Sequence, residues 1–406
     1  MYLADLHIHS RYSRATSRDC DLPHLDWWAR RKGIRLVGTG DCTHPAWRQE
    51  LARQLVPAGE GVYALRPQLR LPGAPPGPDP LFLVTGEISS IYKKDGRTRK
   101  VHSLLLLPGL EEAGRLAARL EALGGNLHSD GRPILKLDCR DLLELLLEVT
   151  PQGELVPAHI WTPHFALFGA CSGFDRLEDC FGDLSGQIHG VETGLSSDPP
   201  MNWRISALDR LTLLSHSDAH SPAKLGREAT LLEGEPSYPQ VLRAIRTGEG
   251  LAGTVEFFPQ EGKYHLDGHR SCGVCLAPAQ TLALGGICPV CGKPLTVGVE
   301  HRVEILADRP AGFRPRGARP FRRMAPLPEV IAASTGWAAA GKRTLALYER
   351  LLAGLGPEFP ILDRLPLEEI SPVAGPQVTE GIRRLRLGQV DCRPGFDGQY
   401  GRMFLR

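Results

Sequence analysis

Asp5-Leu6-His7-Ile8-His9-Ser10 follows the apolar start Met1-Tyr2-Leu3-Ala4 and sets a carboxylate and two imidazoles at every second residue. In an extended strand that spacing turns all three side chains to one face. Imidazole and carboxylate on one face are donors that Zn, Mn or Fe accept. The design recurs where Leu211-Thr212-Leu213-Leu214-Ser215 runs into His216, Asp218 and His220. Two such strand ends read as halves of one multi-metal hydrolytic centre.

Further donors lie between them, each at the end or start of an apolar run. Asp41 ends 36–41, with His44 three residues on; Glu87 ends 82–87; His102 opens 101–107; His159 ends 154–159. Strand candidates are 2–9, 34–39, 81–86, 101–107, 155–159, 188–192, 211–215 and 251–255. Helix candidates between them are 23–31, 111–123, 141–149 and 239–247. The first has Asp21 as a cap, Pro23 in its first turn and Gly33 just past its end, the usual start and stop signals. Alternating strands and helices predict a parallel sheet with crossover helices. Polar residues gathered at the C-terminal strand ends match the place where an α/β barrel puts its chemistry. Residues 67–80, rich in Pro and Gly, predict a surface loop.

The chain of 406 residues is long enough for two or three domains. A net charge of +2 points to no partner class. Of ten cysteines, Cys272, Cys275, Cys288 and Cys291 form two CxxC pairs and the rest are scattered. That pattern predicts a reduced protein with a metal site and argues against a disulfide scaffold. No apolar run nears the roughly 18 residues of a membrane span, and the N-terminus has no signal-peptide core. A cytoplasmic protein with no membrane partner is expected.

The four cysteines, at spacing 2-12-2, predict a closed structural Zn²⁺ site of four thiolates within residues 261–305. Arg309, Arg314, Arg316, Arg319, Arg322 and Arg323 follow with no acid among them, and Phe313 and Phe321 interleave. Arginine with aromatics suits a phosphate backbone and stacked bases, which makes Arg314 and Arg316 candidate DNA contacts; a solvated linker is the other reading. Short helices at 328–334 and 342–352 and a turn with a strand over 394–406 complete a small C-terminal region, 306–406.

Residues 1 to about 258 resemble the PHP (polymerase and histidinol phosphatase) family, on Asp-x-His-x-His, the Thr-x-Asp strand end, Gly-Glu, two strand histidines and Ser-Asp-x-His, in that order. The resemblance implies a distorted seven-stranded β/α barrel over 1–260 with a site for two or three divalent metals. By position, one metal takes His7, His9 and Asp218; Glu87 bridges to a second held by His102 and His159; a third uses Asp41 or His44 with His220. There are two departures: Arg14 stands where many PHP phosphoesterases have Asp or His, and Thr39-Gly40-Asp41-Cys42 stands for their Thr-Asp-His. Metal-activated hydroxide suits phosphodiester hydrolysis. Glu87 and Asp218 would serve it as ligands, and Arg11 and Arg14 would add charge at the phosphate.

Five stretches narrow the resemblance: His9-Ser-Arg-Tyr-Ser-Arg-Ala-Thr-Ser17, Gly38-Thr-Gly-Asp-Cys-Thr-His-Pro45, Ser129-Asp-Gly-Arg-Pro133, Ala158-His-Ile-Trp-Thr-Pro-His164 and Ser215-His-Ser-Asp-Ala-His220. With the cysteine module and the terminal Gly395-Phe-Asp-Gly-Gln-Tyr-Gly401, they resemble the endonuclease Q family over nearly the full length. The resemblance implies a DNA repair endonuclease that cuts 5′ of a deaminated base (uracil, hypoxanthine, xanthine) or an abasic site. Such an enzyme must reach a stacked base, so a flipped-out nucleotide is expected. Trp161, Phe165 and Phe168, with Tyr12, are candidates for its pocket. Damaged DNA is the expected partner. A repair enzyme can also engage a sliding clamp, although the tail holds no clear clamp motif. A small-molecule phosphatase of the histidinol-phosphate type and a non-catalytic DNA-binding protein are the competing readings; the first leaves the cysteine module and arginine arm unused.

Overall fold

The computed structural model describes residues 1–405; Arg406, which the expected C-terminal segment includes, lies outside them. The fold is mixed α/β. Its largest sheet joins β1 (Tyr2–Asp5), β2 (Leu36–Gly38), β3 (Leu55–Gly59), β4 (Val62–Leu65) and β5 (Leu81–Leu83). A second holds β6 (Thr85–Lys94), β7 (Arg97–Leu106), β8 (Ile134–Leu135) and β9 (Glu154–Pro157). β10 (Gly190–Glu192) and β11 (Thr212–Leu214) pair separately, while β12 (Ala229–Leu232) and β13 (Leu251–Glu256) extend the first sheet. β14 (Asp267–His269) and β15 (Val274–Leu276) form a hairpin, β16 (Phe321–Arg323) adds an edge to the first sheet, and β17 (Asp391–Arg393) pairs with β18 (Arg402–Phe404).

The large sheet runs β16-β13-β12-β1-β2-β5-β4-β3 and the second β8-β6-β7-β9. A purely parallel sheet was expected, and both sheets are mixed. β1, β2 and β5 run parallel, whereas β12 is antiparallel to both β1 and β13. The strongest departure is the β6–β7 hairpin. Its turn is Asp95-Gly96, both at positive φ (53° and 72°), the requirement of a two-residue I′ turn. That dipeptide is a hairpin signal in the sequence, overlooked because Lys and Arg dilute the apolar alternation around it. Hydrogen bonding divides the strands among these sheets, and no single seven-stranded ladder closes among the described residues.

The helices follow their capping chemistry. α1 (Leu22–Lys32) starts at Asp21, whose side chain accepts from His24 N, and stops at Gly33 in the left-handed region. α2 (Pro45–Gln54) was not foreseen. α3 (Leu110–Ala122), α4 (Cys139–Val149) and α7 (Tyr238–Thr247) lie within one or two residues of expectation, with short helices α5 (Leu177–Phe181) and α6 (Pro199–Asn202) between them. α8 (Pro278–Ala283) and α9 (Val299–Leu306) belong to the cysteine module. Past the arginine arm come α10 (Leu327–Thr335), α11 (Lys342–Leu355), α12 (Glu358–Asp363), α13 (Leu367–Ala374) and α14 (Pro376–Arg386).

These last helices are not a separate appendage. Val330, Leu347, Ile361 and Ile382 share one buried cluster with Leu22, Trp47, Phe82 and Ala229. Buried Glu358 binds Lys32 Nζ at 3.0 Å, Tyr348 Oη at 2.8 Å and Leu327 N at 2.9 Å, so its charge is fully partnered. A second core joins α3 and α4 to the 160–181 segment through Leu116, Leu142, Trp161 and Phe181.

Close backbone approach fixes where the first strands can meet. A Cβ on Gly38 would stand 2.2 Å from the Leu6 carbonyl oxygen, whereas one on Gly114 in α3 meets nothing within 4 Å. Gly38→Ala should therefore destabilise by more than ~2 kcal/mol, through strain at a packed site. Gly114→Ala should stabilise by up to ~1 kcal/mol, through helix propensity. Denaturant unfolding of the two variants checks the contrast.

Candidate metal centre

The two spacing-two segments lie side by side. Ile8 bridges Ala219 in parallel, and His9 N donates to Ala219 O at 3.0 Å. Asp5 fastens them: its carboxylate accepts from Ser217 N (3.0 Å), Ser217 Oγ (2.6 Å) and Gly226 N (2.8 Å). It is spent on the backbone and does not join the donors.

Glu87 is the hub. On β6 it stands diagonal to His102 on β7, because Ser89 pairs with His102. Glu87 Oε1 lies 2.7 Å from His102 Nδ1, 3.3 Å from His159 Nε2 and 3.5 Å from His7 Nε2. Oε2 lies 3.3 Å from His9 Nε2 and 3.1 Å from Arg132 Nη1. Asp218 Oδ1 is 3.0 Å from His9 Nε2 and 3.7 Å from His7 Nε2. Two donor groups result, each with its ligand atoms within 4.8 Å: His7, His9, Glu87 and Asp218, and Glu87, His102 and His159. Glu87 belongs to both, as a bridging carboxylate must.

The donor set fits divalent metals. Buried His7 Nε2 has no hydrogen-bond partner among the described residues and points at two carboxylates, as a ligand atom would. Its other nitrogen is held by Glu192 at 3.0 and 3.1 Å. Glu192 also binds His216 Nδ1 at 3.0 Å and receives His159 N at 2.8 Å. Asp41 plays the same part for His9: Oδ1 is 3.1 Å from His9 Nδ1, and Oδ2 accepts from Ser10 N, Ser10 Oγ and Ser13 Oγ at 2.6–2.9 Å. Such partners orient a ligating imidazole and fix its tautomer. His159 and Asp218, with Asp41, are non-glycine residues at positive φ (31°, 48° and 48°), a conformation that costs about 1–3 kcal/mol each.

The electrostatics agree. Burial opposes charge on His7 and His9, yet the surrounding carboxylates, Glu192 for the first and Asp218 for the second, hold both well above the usual imidazole range. Burial likewise opposes charge on Glu87 and Asp218, and the imidazoles hold both well below the carboxylate range. His102 is pushed down to about 4, chiefly by burial, which leaves it neutral.

Several expected site residues stand elsewhere. Asp41 lies behind His9 with its oxygens occupied, not among the ligand atoms. His44 caps α2: Nδ1 accepts from Trp47 N and Nε2 meets His128 O at 3.3 Å, so neither nitrogen is available. His220 lies tilted against His9, 4.5 Å between ring centres, but outside both donor groups, its Nδ1 2.8 Å from Asp218 O. Arg14 is 74% exposed and turns to Asp130 at 3.5 Å; Arg11 pairs with Glu50 at 2.7 Å. Arg132, inside the quoted Ser129–Pro133 stretch, is the arginine that reaches Glu87. Glu192 ends an apolar run just as Glu87 does, and that signal was available in the sequence. Trp161 and Phe168 are buried core, the indole N–H donating to Asn202 at 2.8 Å, because the 160–181 segment must cover α4. Phe165 alone stays half-buried at the centre, 4.8 Å from the His102 ring. Tyr12 stacks on His44 at 4.4 Å and donates to Glu50 at 2.6 Å.

In the cysteine module, Cys272, Cys288 and Cys291 gather with His269, and Cys275 does not. The reason is strand alternation: His269 pairs with Val274 and Gly268 with Cys275, so Cys275 faces away from His269. In the arm, Arg309, Arg322 and Arg323 are paired with Asp209, Asp363 and Asp198. Arg319 donates to Gly248 O at 2.6 Å, at the N-terminal end of β13. Arg316 lines a cavity of about 580 Å³ there with Trp203 and Leu211, and Arg314 lies over the Trp203 ring at 5.4 Å. Arg314 and Arg316 thus sit by the N-terminal ends of β11 and β13, among none of the donor-group residues.

Against known structures, the chain superposes at TM-score 0.86 on the crystal structure of the lesion-specific endonuclease PfuEndoQ from Pyrococcus furiosus, with 31% identity over all of this chain and 95% of that one. The chain belongs to the endonuclease Q family. An endonuclease Q complexed with a 27-mer duplex substrate bearing an abasic lesion at the active site superposes at TM-score 0.84 with 31% identity, over 100% of this chain and 96% of that one. An uncharacterised protein of Methanocaldococcus jannaschii is 32% identical over 266 residues, 63% of this chain; the match spans about a third (32%) of that protein's length. No model of a known protein family matches the chain. As an endonuclease Q relative, the chain is a hydrolase of the nuclease class. Among the described residues no helix is long and apolar enough to cross a membrane.

Two outcomes follow from this geometry. Ligation requires neutral imidazoles, so metal affinity should be full at alkaline pH. It should fall as pH drops through the raised values of His7 and His9, with proton release that calorimetry in two buffers counts. In the module, Cys272→Ser should lower the zinc content of the purified chain and Cys275→Ser should leave it unchanged, as read by elemental analysis.

Proposed function

We propose that this chain is a DNA repair endonuclease that hydrolyses the phosphodiester 5′ of a deaminated base or abasic site. The observation that supports this most is the bridging position of Glu87 between two imidazole groups, in a chain alignable end to end with a lesion-specific endonuclease. When bound, two or three divalent ions (Zn, Mn or Fe) at these groups supply Lewis acidity and an acidified water. His7, His9, Asp218 and Glu87 would hold one, Glu87, His102 and His159 another, with His220 at the edge for a third. Arg132, fixed by Glu87, would face the phosphate and neutralise its developing charge. Phe165 and Tyr12 would receive the displaced nucleotide by stacking.

In this reading residues 1–260 wrap the centre as a distorted β/α barrel. Residues 261–305 are a zinc-stapled module, and 306–406 are the arm and helices that buttress it. The paired arginines of the arm make it a strut and leave the scissile phosphate to Arg132.

The test is incubation of the full chain with labelled duplex DNA carrying one deoxyuridine, deoxyinosine or abasic site, with and without chelator. A single nick 5′ of the lesion, abolished by chelation and absent from undamaged duplex, is expected. Release of phosphate from small phosphomonoesters without any nick would favour the phosphatase reading instead. Arg132→Ala should keep its metal content and lose about 10²-fold in the rate of cutting. Phe165→Ala should narrow the ratio between damaged and undamaged cutting.

A further inference from the structure

Glu228 and Glu256 take no part in either donor group, yet their placement is costly. β12 and β13 pair antiparallel with Ala229 opposite Val255 and Thr230 opposite Thr254. One further step of that register sets Glu228 against Glu256. Both are fully shielded from solvent, at 0% exposure. Like charges facing each other across a ladder repel, and a dry interior penalises each charge in addition.

Among the described residues no cation relieves them. Arg323 lies beside Glu256 in the β13–β16 register but gives its guanidinium to Asp198 at 2.5–2.9 Å. The other charged groups that face the pair are acids: Asp198 for Glu256, and Glu192 and Asp5 for Glu228. The imidazole of His216, beside Ser215, is committed to Glu192. The hydrogen bonds are unequal. Glu256 has the hydroxyls of Thr254, Thr193 (2.9 Å) and Ser215 (3.2 Å) around it. Glu228 receives only Phe257 N at 3.1 Å, and its Oε2 has no partner among the described residues. Burial, then their neighbours' charge, pushes Glu256 up to about 8 and Glu228 well above the carboxyl range.

Thr193 and Ser215 adjoin Glu192 and His216, the residues behind His7. We propose that Glu228 and Glu256 share at least one proton and act as a positioning pair. Their reduced charge lets Glu256 stay buried against Thr193 and Ser215, which fixes the ends of β10 and β11 that orient His7. The inference rests on the metal-centre reading for its role, but not for the protonation itself.

An acid whose pKa is raised by folding stabilises the fold fully below its unfolded value and loses that contribution progressively as pH climbs from the unfolded to the folded value. Denaturant unfolding of the metal-free full chain between pH 6 and 10 tests the proton. The wild type should lose folding equilibrium more steeply than Glu256→Gln between pH 6 and 8, by about ten-fold per pH unit, the slope of one proton, and the two should converge on the same slope above that. Parallel slopes between pH 6 and 8 would overturn the proposal. Glu228→Gln, which mimics the protonated acid without taking up a proton on folding, should be at least as stable as the wild type at pH 7; a marked loss of stability there would also overturn the proposal. Mn²⁺ binding, which thiolates compete for weakly, tests the positioning. Glu256→Ala should weaken it by 10–100-fold, as loss of an orienting partner does, and Glu256→Gln should restore it. Unchanged Mn²⁺ affinity in Glu256→Ala would remove the positioning role. Loss of lesion cutting with these results intact would bear on the enzyme reading alone.

Discussion

A carboxylate buried among imidazoles governs this molecule. Glu87 is 1% exposed, and an ionised carboxylate survives in such a place only with charge and hydrogen-bond partners around it. Here the partners are His7, His9, His102 and His159, with Arg132 at the rim. They come from distant parts of the chain, so holding them together demands the strand ends of both sheets, the parallel contact of Ile8 with Ala219 and the Asp5 staple. The left-handed backbones of His159 and Asp218 are tolerable because those interactions over-determine them.

Around this hub the structure is layered. Glu192 and Asp41 orient His7 and His9, and Thr193, Ser215 and Ser10 hold the orienting carboxylates' strands. Outside them the helices supply apolar packing, and α10–α14 brace the face that α1 and the large sheet present. A centre built this way is rigid before any substrate arrives, which phosphodiester chemistry favours because positioning and fixed charge supply most of the rate. The arginine arm fits the same logic, since half of its guanidinium groups are spent on carboxylates that tie β16 and its flanks to the body.

The donor side chains that gather around Glu87 were the most legible part of the sequence. Spacing two at 5–9 and 216–220, and acids or histidines at the ends of apolar runs, are patterns that donor geometry imposes directly. Helix α1 was legible because its cap, proline and terminal glycine each act locally. What could not be read is set by tertiary geometry. Asp41 and Glu87 are the same kind of acid at the end of an apolar run, and only the fold decides that one touches the back of an imidazole and the other its front. Arg14 and Arg132 are likewise equivalent in composition, and the reach of a long side chain depends on the turn at 129–133. Cys275 obeys the ligand spacing, but hairpin alternation turns it away from the group in which His269 gathers with the other three cysteines. The Asp95-Gly96 hairpin was legible and overlooked, as was Glu192.

The most direct test is anomalous diffraction from crystals of the full chain grown with Mn²⁺ or Zn²⁺. The account predicts metal peaks on both sides of Glu87, one within bonding distance of His7, His9 and Asp218 and another of His102 and His159, with Asp41 and His44 unligated. Crystals that show no peak between these side chains, or a metal held by Asp41 and His44 instead, would contradict it.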